Sequence, residues 1–249
     1  MNGYDVTGGV QKTFCHDWTV GIAGSYEQDH LDFKKSGGTE HCDTWFAGLY
    51  GLYRPSYFYG LVDFVYGNSS NKLNRKINVG TLHYHAKSTP TVTQYTFYGE
   101  VGVDYNICNI LIQPFAGIEA GAYRRAHVKE SDANVWALAV QSRNRTLATT
   151  RLGLHITTDS YFQECLAVSL DIAWNKLLSS SKNKVGEHFT QFGSHFEIDG
   201  VKSGTNSIDY ALTISSPLGC NFSGYLEGSG ESWSHANIFN ILAGFEFCW

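Results

Sequence analysis

Alternation of apolar and polar residues with a period of two runs through nearly the whole chain. Few folds tolerate that pattern over such a length. In residues 18–31 one face reads Trp18, Val20, Ile22, Gly24, Tyr26, and the other Thr19, Gly21, Ala23, Ser25, Glu27. Residues 3–14, 44–53, 57–66, 93–105, 110–123, 147–157, 166–175, 206–216, 221–228 and 236–249 behave alike. This predicts eleven strands and no long helix, with residues 135–140 read as a strand extending from a loop. The predicted connections alternate in length. Short ones fall at 15–17, 54–56, 106–109, 159–164 and 217–220, and long ones at 32–43, 67–90, 124–146, 176–205 and 229–235. Tight turns at one end and long loops at the other are what an up-and-down membrane barrel requires. Greek-key crossovers would mix the two lengths.

Composition decides between lipid and a soluble core. Charged residues make up 16% of the 249, against about 25% in ordinary soluble domains. Aromatic residues reach 14%. The polar faces carry Gly, Ser, Thr and isolated acids rather than the Lys and Glu of a water-exposed sheet. Mean hydropathy is −0.22, and no apolar run approaches the roughly 18 residues of a spanning helix. The net charge of −5 offers no basic footprint, so no nucleic-acid partner is expected. Met1-Asn2-Gly3-Tyr4-Asp5 has neither the basic nor the apolar region of a signal peptide. The fold class expected is all-β, a transmembrane antiparallel up-and-down barrel set in outer-membrane lipid.

The period also assigns faces. Asp63, Glu100, Asp104, Glu119, Arg151, Asp171, Asp209 and Glu246 fall on the polar, lumen-lining face, since a charge on the lipid face would cost up to about 2–4 kcal/mol. The acids are expected to pair with Arg151, to line the pore, or to touch a threaded segment. Inward glycines at 9, 21, 117, 153 and 244 either leave room for such a segment or relieve packing and curvature. On the last strand Phe239, Ile241, Ala243, Phe245, Phe247 and Trp249 form one apolar stripe. His83-Tyr84-His85 has alternate spacing but no nearby acid or Cys, and His188 and His195 match no metalloprotease pattern. No catalytic residue, metal site or cofactor is expected. Cys15, Cys108, Cys165 and Cys220 lie in or beside short turns, and Cys248 falls on the same side; only Cys42 lies toward the other end. Cysteines on different hairpins are too far apart for most internal disulfides, so most of these periplasmic-rim thiols are expected to be unpaired, with Cys220 and Cys248 the exception.

Residue by residue, the chain resembles the C-terminal β-barrel (translocator) domain of bacterial autotransporters. Gly3-Tyr4-Asp5, Gly8-Gly9-Val10-Gln11 and Asp17-Trp18-Thr19-Val20-Gly21-Ile22-Ala23-Gly24-Ser25-Tyr26 are similar to that family's second and third strands. Further similarity lies in Ala47-Gly48-Leu49-Tyr50-Gly51-Leu52-Tyr53, Tyr59-Gly60-Leu61-Val62, Gln113-Pro114-Phe115-Ala116-Gly117-Ile118-Glu119, Thr150-Arg151-Leu152-Gly153-Leu154 and Ala243-Gly244-Phe245-Glu246-Phe247-Cys248-Trp249. The six cysteines and the Tyr/Phe-rich strands further resemble chlamydial polymorphic outer membrane proteins. The resemblance implies an outer-membrane barrel that anchors and helps to export an N-terminal passenger, without being an enzyme. A stand-alone porin or adhesin barrel is the alternative. The resemblance also implies twelve strands, so that residues 1–249 lack the first strand, the pore helix and the passenger. It makes Phe245, Phe247 and Trp249 the signal read by the barrel-assembly machinery, although Trp249 also suits a simple interface anchor. It further implies that the thiols cross-link the barrel to cysteine-rich envelope proteins.

Overall fold

The computed structural model describes residues 2–33, 37–79, 81–133, 136–161, 166–179, 184–189, 195–199, 204–219 and 221–247. The strands are β1 (Asn2–Phe14), β2 (Trp18–Phe33), β3 (Gly38–Tyr53), β4 (Phe58–Val79), β5 (Leu82–Ser88), β6 (Thr91–Val103), β7 (Tyr105–Ile107), β8 (Ile110–Arg125), β9 (Val128–Lys129) and β10 (Leu138–Val140). They continue with β11 (Arg143–Tyr161), β12 (Leu166–Leu177), β13 (Lys184–Phe189), β14 (His195–Asp199), β15 (Asn206–Gly219), β16 (Phe222–Trp233) and β17 (Asn237–Phe247). One antiparallel sheet runs β1-β2-β3-β4-β6-β8-β11-β12-β15-β16-β17, with β5 added to β4 and β7 to β8. Its eleven-membered path matches the strands expected from the period. No described helix is long and apolar enough to cross a membrane.

Lipid, not a core, explains where the apolar side chains point. Val6, Val10, Ile22, Leu49, Val62, Phe97, Val101, Leu152, Ile172, Leu212 and Leu226 are all exposed. They lie on one face by the ladder register. Aromatic rings edge this band. Trp18 and Tyr53 pack at 4.5 Å, next to Phe58, near the short turns. Trp45, Tyr66 and Tyr95 pack at 5.1 and 5.2 Å at the other edge. Trp18 and Tyr26, Tyr53 and Trp45, and Phe58 and Tyr66 are each eight positions apart. At about 3.3 Å per residue and a tilt near 40° this separates the girdles by about 20 Å, close to an outer-membrane barrel's apolar band of about 25 Å.

Several connections differ from expectation. Strand β4 continues to Val79 and turns back as β5, so the expected loop at 67–90 is a hairpin that stands beyond the outer girdle. Strands β2 and β3 likewise extend to Phe33 and from Gly38. Strand β16 reaches Trp233, whose N–H bonds Ala236 O at 2.8 Å, so 229–235 is a tight turn and not a long loop. Above the membrane both faces of a ribbon can be wet. Apolar alternation then disappears while the backbone ladder continues.

The β4–β5 hairpin docks on residues 128–133 and 136–138. Arg75 grips Glu130 through Nε at 3.0 Å and Nη2 at 2.6 Å, and Glu130 Oε2 accepts from Leu138 N at 2.9 Å. Lys87 and Ser131 exchange backbone hydrogen bonds at 3.1 and 2.8 Å. Ala86, Ala133 and Ala137 are buried together with Ile77 against them. A small sheet, β14-β13-β10-β9, lies in the same external region; of the strand expected over 135–140 it includes Leu138–Val140.

Strands β1 and β17 are the edges of the main sheet; among the described residues no ladder joins them. Both end at the short-turn side, so they run parallel to each other. All of β1 is exposed, as are Phe239, Ile241, Phe245 and Phe247 of β17. The sheet nevertheless curls until side chains of its two edges meet. Gln11 Nε2 donates to Glu246 Oε1 at 3.3 Å, and the Tyr50 hydroxyl donates to Gln11 Oε1 at 2.5 Å.

Candidate functional site

The functional surface is the wall opposite the lipid, and the two-residue period builds it. Residues in register at one height on neighbouring strands meet there side by side. Glu100 of β6, Gly117 of β8, Arg151 of β11, Asn175 of β12 and Ser207 of β15 form one such row. His155, Asp171, Ala211, Ser229 and Asn240 form the row nearer the periplasmic end.

Glu100 is the hub of the lower lumen, with 7% of its surface exposed. Its Oε1 accepts from the Tyr59 hydroxyl at 2.6 Å, and its Oε2 accepts from Tyr98. His155 Nε2 lies 3.3 Å from Oε1, while Nδ1 bonds Asp171. The His155 ring is stacked on Phe115, 4.3 Å between centroids and 10° between planes. Below this hub Gln113 donates to Asp104 at 2.7 Å, and Arg54 lies 3.7 Å from the same carboxylate. Asp104 itself sits at the break between β6 and β7, on the inward side at the periplasmic rim. Higher up, Arg151 Nη2 bonds Asp209 Oδ2 at 3.0 Å and its guanidinium lies over the Tyr98 ring. Asp63 and Glu119 interact electrostatically with Arg151.

Each lumen-lining residue expected from the sequence thus lies on the inward face. Arg151, Asp63, Glu119 and Asp209 are brought together; Glu100 and Asp171 meet at His155; Glu246 lies apart at the sheet edges. His155, Tyr59 and Tyr98 were not singled out. His155 sits on the same inward period as Arg151, and that was the only signal that could have found it. Beside each inward glycine the place of a side chain is already taken by neighbouring side chains or backbone. A Cβ at Gly21 would come within 2.3 Å of the Tyr50 ring, at Gly117 within 2.9 Å of the Tyr98 hydroxyl, at Gly153 within 2.6 Å of the Phe115 ring and at Gly244 within 2.4 Å of the Tyr225 ring. At Gly9 it would meet Ile22 O at 2.7 Å. Packing relief is their role.

At the external mouth Glu40 faces the lumen from β3, where burial and then Asp29 push its carboxyl above the usual range. On the outer face Asp43 accepts from Gln28, Tyr26 and Lys72, which hold it below that range. Across the mouth Arg125, Arg143 and Arg145 line β8 and β11. Cys15 and Cys108 are exposed in short turns, both with left-handed backbone (φ 50° and 56°). Cys42 is half-buried toward the external end, its Sγ 3.0 Å from Ser69 Oγ. Cys165, Cys220, Cys248 and Trp249 lie outside the described residues. His83 bonds Asn78 at 2.7 Å, and no group able to hold a metal occurs among the described residues.

A profile of the family described as the autotransporter beta-domain matches residues 1–229. This chain belongs to that family. Autotransporter β-domains are outer-membrane barrels that serve passenger export, and this chain is such a barrel. Its fold is similar to the translocator domain of autotransporter NalP from Neisseria meningitidis, with a TM-score of 0.83 at 11% identity over 99% of this chain and 81% of that one. It is also similar to the beta domain of the Bordetella autotransporter BrkA (TM-score 0.65, 14% identity, 99% and 90% covered). A third is the transport unit of autotransporter AIDA-I from Escherichia coli (TM-score 0.56, 13% identity, 98% and 81% covered). No curated protein matches the sequence significantly.

Proposed function

We propose that this autotransporter barrel anchors and exports a passenger joined ahead of β1, and that the joining segment supplies an upward strand between β1 and β17. The observation that carries this is the pair of parallel, exposed edges. In hydrocarbon each unpaired backbone N–H or C=O costs several kcal/mol. Because β1 and β17 both run toward the periplasm, one antiparallel strand satisfies both edges. A second copy in the same membrane orientation offers only parallel pairing. The barrel so closed surrounds the charged lumen and needs no enzymatic step.

The same reading gives the barrel its partners. Outer-membrane lipid surrounds the apolar band, and the barrel-assembly machinery reads Phe245, Phe247 and Trp249. The rim thiols Cys15, Cys108, Cys165, Cys220 and Cys248 cross-link to envelope proteins. What supports the last point is that Cys15 and Cys108 are exposed on turns. Non-reducing electrophoresis of native envelopes tests it; a monomer band indifferent to reductant would refute it.

The export reading is tested by adding one amphipathic strand and an epitope ahead of Asn2. The epitope is expected on intact cells and should be lost on protease shaving. A folded barrel with its epitope retained in the periplasm would refute the reading.

A further inference from the structure

Between Asp63 and Glu100 the chain has no acidic residue, although its net charge is −5. The same stretch holds Lys72, Arg75, Lys76 and Lys87. The ladder sorts these cations. Arg75 turns to the face that docks on Glu130, and the three lysines take the opposite, outer face. There Lys72 and Lys76 alternate with Asn74 and Asn78. Lys87 pairs across with Asn74, His85 with Lys76 and His83 with Asn78. Arg124 joins them from β8, in one row with Thr93 and Asn68. All six basic side chains of this face are exposed.

Their charge is barely compensated. Lys72 lies 3.2 Å from Asp43 and Lys87 3.3 Å from Asp132, but these lysines are 63% and 61% exposed, and water and salt screen such pairs. Lys76 and Arg124 form no ion pair among the described residues. The face also continues the lipid-facing band, because it follows the girdle of Trp45, Tyr66 and Tyr95 on the same parity. Arg124 stands in the row two positions beyond Tyr66 and Tyr95. Along β4, Lys72 is six positions beyond Tyr66 and Lys76 ten. At about 3.3 Å per residue and a tilt near 40° these three lie about 5, 15 and 25 Å above the girdle. An ordinary headgroup layer is only about 5–8 Å thick. The basic column therefore outreaches it, and a phospholipid would meet only its lowest part.

We propose that this face docks a phosphorylated glycolipid of the outer leaflet, whose phosphates meet Arg124 and Lys72 and whose saccharides continue upward along Lys76, His85 and Lys87. Guanidinium and ammonium groups form charge-assisted bonds to phosphate oxygens. The asparagines and Thr93 between them offer amide and hydroxyl groups to sugar hydroxyls. Height selects the ligand class, since only a lipid with an extended polar part spans from the girdle to Lys76. The proposal rests on the barrel's place in the outer membrane and is independent of passenger export.

The test uses the refolded full chain in neutral-detergent micelles, with folding checked by heat-modifiable gel mobility. Binding is followed by label-free thermophoresis read through tryptophan fluorescence. The probes are rough-type lipopolysaccharide, the same glycolipid dephosphorylated, phosphatidylglycerol and heparin. The intact glycolipid is expected to bind, and dephosphorylation should weaken binding at least about tenfold. Lys72→Gln with Lys76→Gln and Arg124→Gln should do the same. Lys12→Gln, on the outer face at the periplasmic end, should change nothing. Lys76→Gln with His85→Gln should weaken glycolipid binding at least about threefold and leave phosphatidylglycerol unaffected. No binding of the glycolipid, equal binding after dephosphorylation, or indifference to the triple variant overturns the proposal. Phosphatidylglycerol binding as tight as the glycolipid would assign the face to ordinary anionic headgroups, and tighter heparin binding would assign it to a soluble sulfated polysaccharide; either result also overturns it. The epitope display experiment reads export alone, so the two readings fail separately.

Discussion

Replacing Glu100 by Ala should destabilise the barrel by about 2–4 kcal/mol, because several donors lose one acceptor. The Tyr59 hydroxyl, in a residue 4% exposed, is left buried without a partner; that alone costs about 1–3 kcal/mol. Tyr98 is only half-buried and can turn to lumen water, so it adds less. His155 keeps Asp171. Tyr59→Phe removes one donor and leaves Glu100 with two others, at about 1 kcal/mol. The double variant removes both ends of the 2.6 Å bond between the Tyr59 hydroxyl and Glu100. Its destabilisation should therefore fall at least about 1 kcal/mol short of the sum of the singles. The assay is urea unfolding of the refolded chain in lipid vesicles, read by tryptophan fluorescence and by heat-modifiable mobility. Strict additivity of the two variants, or an Ala variant within about 0.5 kcal/mol of the parent, would refute the network as a unit.

The remaining expectations are smaller. Gly21→Val and Gly244→Val push a Cβ into the Tyr50 and Tyr225 rings and should lower the unfolding midpoint, whereas Gly8→Ala, with nothing within 4 Å, should leave it unchanged. Cys108→Gly relieves left-handed backbone at a two-residue turn and should raise stability by about 1 kcal/mol in the same unfolding assay. Arg75→Ala breaks the forked pair with Glu130 and should make residues 126–142 susceptible to limited proteolysis while the barrel band survives on gels; equal resistance would count against the docking of the two loops.

Within the membrane the sequence was read well because lipid imposes a strict rule there. Asp63, Glu119, Arg151 and Asp209 could be placed inward from parity alone, since the opposite parity would set a charge in hydrocarbon. Beyond the girdles the rule lapses. The segment from Gly67 to Val79 carries Asn and Ser on both faces, Lys on one and Arg on the other, so nothing in it marked a strand, yet it continues the β4 ladder. Parity also assigns a face but not a neighbour. That Glu100 meets His155, fifty-five residues later, depends on strand tilt and side-chain reach. The role of the inward glycines was equally hidden, because the side chain or backbone that fills each space stands on another strand.

The docked external hairpin ties two stretches of surface to a common history. Ala86 is 1% exposed and Ala133 0%, so neither can enlarge without displacing the other's hairpin; overpacking there costs about 1–3 kcal/mol. Arg75 and Glu130 are bound by the same logic of charge. The face turned to the outside world can therefore diversify freely only at its solvent-facing positions. A foreign epitope grafted into residues 128–138 alone would unseat the β4–β5 hairpin as well, whereas exchanging both stretches together would keep each one's fit.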